Sequence, residues 1–229
     1  MTLSVKTFVQ VGFIAALLAA GSAFAGGGKF ATTNGKPAPA AVDTSGPSEL
    51  IESAANIMLS GIDSRREEFR KDPAGLYKLV EDTLLPYFDT PYAAQLVLGK
   101  NWRTATPEQR KRFVDAFYKS LLYTYGDALV DFTADRLKVL PTKVAPEDVK
   151  ATVRTEITRS NGTKVAVFYT LRKVNGVWKA WDVVIDGISY VKSYREDYGA
   201  QVDQMGIEAV IKNLEAKAQS ARAGKAKTS

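Results

Sequence analysis

Two turn signals, Ser160-Asn161-Gly162 and Asn175-Gly176, constrain this chain more than any other feature, because each sits between runs of β-branched and aromatic residues. Short Asn-Gly connections favour the positive backbone angles of tight hairpins, so the runs on either side of them pair antiparallel. Those runs are 148–159, 164–174 and 177–185, and a further run of the same period precedes them at 136–144. Alternation across a strand places Ala151, Val153, Thr155 and Ile157 on one face, then Val165, Val167, Tyr169 and Leu171, then Trp181, Val183 and Ile185. A sheet with one continuous apolar face needs a cover, and the rest of the chain supplies it.

Upstream the period is helical. Ser48 is placed to cap a helix bearing Leu50, Ile51, Ala54, Ala55, Met58, Leu59 and Ile62, ahead of a charged end from Arg65 to Lys71. Asp72-Pro73 restarts the chain as a cap with a first-turn proline; Leu76, Leu79, Val80, Leu84 and Leu85 form the next stripe, and Pro86 ends it. Thr90-Pro91 repeats the device for a short helix stopped by Gly99. Thr106-Pro107-Glu108-Gln109 has the reciprocal capping pattern and launches the longest helix, 107–131, with a broad aromatic stripe through Phe113, Phe117, Leu121 and Tyr125.

After the last strand, Asp186-Gly187-Ile188-Ser189 turns the chain into a helix: Gly187 tolerates the turn, Ser189 caps, and Tyr190, Tyr194 and Tyr198 share a face. Gly199 and Gly206 then punctuate a move into a last helix through Ile207, Val210, Ile211 and Leu214. The fold class is therefore α+β, an antiparallel sheet of about four strands covered by helices. Ile188 stands where sheet and helix meet, and a pocket is expected at that corner.

Residues 1–25 have the form of a secretory signal: Lys6, an apolar run from Val9 to Ala20, and Ala23-Phe24-Ala25 as the small-residue cleavage site. Residues 26–47, rich in Gly, Ala, Pro and Thr, read as a flexible leader, 48–217 as the folded domain and 218–229 as a basic tail. The formal charge is +6, modest enough for solubility alone or for approach to anionic surfaces, and no clustered basic stripe points to nucleic acid.

The chain has no His and no Cys, which removes the thiol nucleophile, the commonest neutral-pH base, disulfides and the preferred zinc ligands. Asp182 and Asp186 are the best carboxylate pair, but along a strand they lie about 13 Å apart, beyond the roughly 5 to 9.5 Å of paired glycosidase carboxylates. They read as solvated or turn-capping groups. Gly26-Gly27-Gly28-Lys29 lacks the spacing of a phosphate loop. No catalytic residue, metal or cofactor is expected.

Three strings in consistent order carry a family resemblance: Leu84 to Asp89, Val97 to Arg110, and Trp181 to Ser189. Together they resemble the MlaC family, which includes the toluene-tolerance proteins, over about residues 48–217. Asp186 stands where a Glu is frequent in that family. The resemblance implies a soluble, monomeric periplasmic phospholipid carrier, with acyl chains between helices and sheet. It also implies two partners, an outer-membrane lipoprotein complex and an inner-membrane ABC transporter with an MCE-domain subunit. The lipid-lining residues expected on this basis are Leu84, Phe113, Phe117, Leu121, Tyr125, Val153, Ile157, Val165, Val167, Tyr169, Leu171, Val183, Ile185 and Ile188. The rival reading is a nonenzymatic adaptor with a solid core.

Overall fold

The computed structural model describes residues 41–131, 137–158 and 162–226. The signal segment, most of the leader, and turn residues Ser160 and Asn161 lie outside the described residues. Helices α1 (Pro47–Lys71), α2 (Ala74–Thr83), α3 (Thr90–Leu98), α4 (Lys100–Thr104) and α5 (Pro107–Tyr125) precede the sheet, with 3-10 turns at Leu85–Tyr87 and Gly126–Asp131. Strands β1 (Leu137–Val139), β2 (Lys150–Thr158), β3 (Lys164–Val174), β4 (Val177–Ile185) and β5 (Ile188–Ser189) follow, and α6 (Tyr190–Met205) and α7 (Ile207–Ala226) close the chain.

The sheet is antiparallel throughout and runs in sequence order. Its long ladders join β2 to β3, where Val153 faces Tyr169, and β3 to β4, where Tyr169 faces Val183. Asn175 and Gly176 both take positive φ, 51° and 81°, as the two-residue hairpin requires. Asp186 and Gly187 do the same at 48° and 83°. Their turn folds Ile188 and Ser189 back onto Ile185 and Val184 as a fifth strand before the helix starts. The first strand is shorter than its apolar run: Leu140 still donates to the Arg154 carbonyl at 2.8 Å, but Pro141 follows and has no N–H to continue the ladder.

A bulge interrupts the alternation of β4. Thr170 pairs with Asp182 and Leu171 with Ala180, so Trp181 is the extra residue. Trp178 and Ala180 face inward before it, and Val183 and Ile185 after it. Trp181 does not share the face of Val183 and Ile185 as simple alternation predicts; it packs edge-on against Tyr92 at 5.5 Å.

The helix starts follow the expected chemistry with local shifts. The Thr106–Gln109 capping box is present in full, and the Ser189 hydroxyl accepts from the Lys192 N–H. The first helix begins at Pro47 with Gly46 as its cap residue, two residues ahead of Ser48, and Val42 already packs on the core. Asp89 replaces Thr90 as the cap of α3, its carboxylate accepting from the Tyr92 N–H at 3.3 Å. The long helix ends at Tyr125 and continues as a 3-10 turn. Gly199 lies inside α6, which Gly206 ends at φ 80°, and α7 carries the chain past the expected tail boundary, with Ala218 buried.

The buried residues form two clusters. One joins the inner sheet face to α1 and α2, with Met58, Ile62, Val153, Val167 and Leu171 among its fully enclosed members. The other joins α3, α5, α6 and α7 around Phe113, Val97, Val210 and Ile211.

Candidate functional site

Between these two clusters the packing opens. The cavity is about 140 Å³, set in a space of about 1120 Å³ that includes its mouth. Each layer contributes a wall: Leu50, Ile51, Ala54 and Ala55 from α1; Val80, Leu84, Leu85 and Tyr87 from α2 and the turn after it; Thr90 and Ala93 from α3. Helix α5 adds Phe117, Tyr118 and Leu121, the sheet Tyr169, Ala180, Asp182 and Val183, and α6 Tyr190, Val191 and Tyr194. Close packing of side chains usually leaves no such void, so an opening of this size between two apolar layers is a binding feature.

The aromatic side of the wall is fixed by ring contacts. Phe117 stacks on Phe113 at 5.6 Å and takes Tyr194 edge-on at 5.2 Å, while Tyr190, Tyr194 and Tyr198 follow one another at 6.2 and 6.0 Å along α6. Burial is the main cause that raises the phenols of Tyr118, Tyr190 and Tyr194 above the ordinary tyrosine value, so these groups stay neutral.

Asp182 is the wall's one carboxylate among the described residues. It is 5% exposed and accepts from the Val183 N–H at 2.8 Å, the Val191 N–H at 3.0 Å and the Ser189 hydroxyl at 2.6 Å. It is thus a buried group at the start of α6, where the N-terminal amides favour negative charge, rather than a solvated one. A charge pair pins α3 to the sheet: Arg172 holds Asp89 at 2.6 Å and lies over the Tyr92 ring at 3.7 Å. Among the described residues no three His, Cys, Asp or Glu side chains converge on a metal site. What the wall can do chemically is exclude water and hold a long apolar group.

Of the residues expected on the wall, the structure brings Leu84, Phe117, Leu121, Tyr169 and Val183 together around the cavity. Val153, Ile157, Val165, Val167, Leu171 and Ile185 are instead packed in the sheet-side cluster, away from the opening. Phe113 lies inside the helical cluster and Tyr125 packs against it. Ile188 is 45% exposed, because β5 is an outer strand at a hairpin tip that none of the described residues covers. The α1 face and Ala93 were readable as apolar stripe, but their place on the wall was not, since it depends on which layer stands opposite. Asp182 carried a findable signal: a carboxylate seven residues before a helix-capping Ser.

An antiparallel sheet and a helical layer that part around an almost wholly apolar cleft define a protein built to bind an apolar ligand. Residues 52–216 match the family model for the MlaC protein, and the chain belongs to the MlaC family. It is 28% identical to the toluene tolerance protein Ttg2D of Pseudomonas putida, over 70% of this chain and 74% of that protein. It is 26% identical to the intermembrane phospholipid transport system binding protein MlaC of Haemophilus influenzae, over 76% and 83% of the two chains. A solved structure of a phospholipid-binding protein from Ralstonia solanacearum, in complex with a phospholipid, has the same fold. Its TM-score is 0.67 at 24% identity, covering 73% of this chain and 94% of that one.

Proposed function

We propose that the protein is a periplasmic phospholipid carrier that holds acyl chains between its two apolar clusters and leaves the headgroup near water. The carrying observation is the cavity itself, walled by both clusters and almost free of polar groups. The name of one relative, a phospholipid transport system binding protein, and the lipid-bound structure of another protein support the same reading. So does the form of residues 1–25, which is that of an export signal. The partners that fit are those of the family: an outer-membrane lipoprotein complex and an inner-membrane ABC transporter with an MCE-domain subunit. A solid-core adaptor does not account for the opening.

The energetics suit exchange. Two tails of about thirty methylenes at roughly 0.8 kcal/mol each amount to some 24 kcal/mol against water, and a bilayer offers nearly the same. Transfer between membrane and carrier then lies near balance, and the carrier's work is to remove the barrier through water. The test is mass spectrometry of lipid extracted from protein purified out of the periplasm, beside an Ala93→Trp variant. Ala93 is 3% exposed on the wall, so an indole there takes up tail volume. Phospholipid on the natural chain and little on the folded variant is the expected result; lipid-free natural protein overturns the reading.

A further inference from the structure

Nearly the whole cavity wall is carbon, yet two of its rings carry hydroxyls that no group among the described residues satisfies. Tyr118 on α5 and Tyr194 on α6 both line the cavity, and the phenolic oxygens of both are shielded from solvent without a hydrogen-bond partner. A desolvated, unpaired O–H costs free energy that a phenylalanine in the same place would not incur. Burial raises both phenols, so they remain donors at any physiological pH.

The cavity also has to widen on loading. Its volume of about 140 Å³ falls below the roughly 300–1,000 Å³ of ordinary ligand sites, so acyl chains entering it displace wall side chains. The rings that bear these hydroxyls form part of that wall. A ligand made of hydrocarbon alone would leave the donors unpaired. An anionic acceptor fits poorly, because no Lys or Arg lines the cavity and Asp182 does. The chemistry that matches is a neutral acceptor with no donor of its own, attached directly to a hydrocarbon tail.

We propose that Tyr118 and Tyr194 donate hydrogen bonds to the ester carbonyls of a bound glycerolipid, which makes the protein selective for acyl-ester over alkyl-ether lipids. The inference rests on the carrier reading above and adds a polar selection step to an otherwise apolar site. The phosphate headgroup, for which no Lys or Arg among the described residues lines the cavity, stays outside it.

The experiment equilibrates the full-length protein with vesicles holding equal amounts of diester and diether phosphatidylglycerol of matched chain length, then identifies the captured lipid by mass spectrometry. The identical headgroup cancels. The natural chain is expected to favour the diester about tenfold, the combined value of two neutral hydrogen bonds of about 0.7 kcal/mol each. Tyr118→Phe and Tyr194→Phe each reduce that ratio, and the double variant brings it close to one. Equal capture by the natural chain, or a double variant that keeps the full preference, overturns the inference and leaves the carrier reading standing. Capture of neither lipid overturns both. Melting of the lipid-free protein is the second readout: Phe for an unpaired Tyr leaves the Tm unchanged or higher, and a fall reveals another partner and overturns the assignment.

Discussion

Asp182 has both of its carboxylate oxygens committed. One accepts from the Val183 and Val191 amides and the other from the Ser189 hydroxyl, all within a wall that excludes water. The group ties the end of the bulged strand to the first turn of α6, the helix that places Tyr190 and Tyr194 on the cavity. Asp182→Ala leaves the buried Val183 amide and the half-buried Val191 amide unpaired, the buried one costing about 1–3 kcal/mol and the other less. We expect a loss of about 3 kcal/mol in urea unfolding, with a larger proportional loss of bound lipid as α6 loosens; a variant as stable as the natural chain would remove the latch role. Ile188 gives the opposite expectation. At 45% exposure it fills no core, so Ile188→Trp should fold, melt within about 0.5 kcal/mol of the natural chain and carry a full lipid load. The sequence placed Ile188 at a corner correctly but could not show which side of the corner it faced, because Asp186-Gly187 makes a hairpin turn there instead of a simple handover.

At the scale of the element, period and cap chemistry were legible and contact across layers was not. Alternation identified the buried face of β3, and Val165, Val167, Tyr169 and Leu171 are all enclosed. Yet only Tyr169 of that row reaches the cavity, while Val165, Val167 and Leu171 are enclosed in the sheet-side cluster. No local pattern in β3 carries that information. The bulge at Trp181 is equally silent in the sequence, because an extra residue in a strand looks like any other until its partner's register is known. Helix starts were legible where the cap is a contact between near neighbours, as the reciprocal Thr106 and Gln109 bonds and the Ser189 cap show, whereas Ser48, Asp72 and Thr90 are not the caps that the sequence suggested. The distinction between enclosed row and wall has a consequence for mutation. Val167 is 0% exposed between Thr155 and Ile185, so Val167→Glu buries a carboxylate with no partner and should prevent folding rather than simply empty the site. Soluble expression and circular dichroism check this; a folded, lipid-free Val167→Glu protein would put Val167 back on the wall.

For the molecule as a whole, the cavity depends on two apolar clusters that meet without merging, and each must hold together by itself. On the helical side α7 packs along α5, and polar contacts along their seam reinforce the apolar ones. Arg112 on α5 holds Glu215 at 2.9 Å through both a terminal and an inner guanidinium nitrogen, and Glu208 at 2.7 Å, so one cation bridges two carboxylates on α7. Hydrogen bonding from Arg112 is the main cause that lowers both carboxylates from their ordinary value of 4.5. A group whose folded pKa lies below its unfolded value stabilises the fold at pH above the unfolded value, and that stability is lost as pH falls through the folded one. The seam therefore contributes fully from neutral pH down to about 4.5 and weakens progressively below it. Both carboxylates are substantially exposed, so the contribution is screened and small, and it should shrink further in high salt. Arg112→Gln removes the cation while keeping a polar side chain. In urea unfolding as a function of pH, the variant is expected to lose a little stability at neutral pH and to converge on the natural chain in acid, where the natural carboxylates are protonated as well. Parallel curves at every pH would mean that Arg112 acts only through packing, and the α5–α7 seam would then owe nothing to its charges.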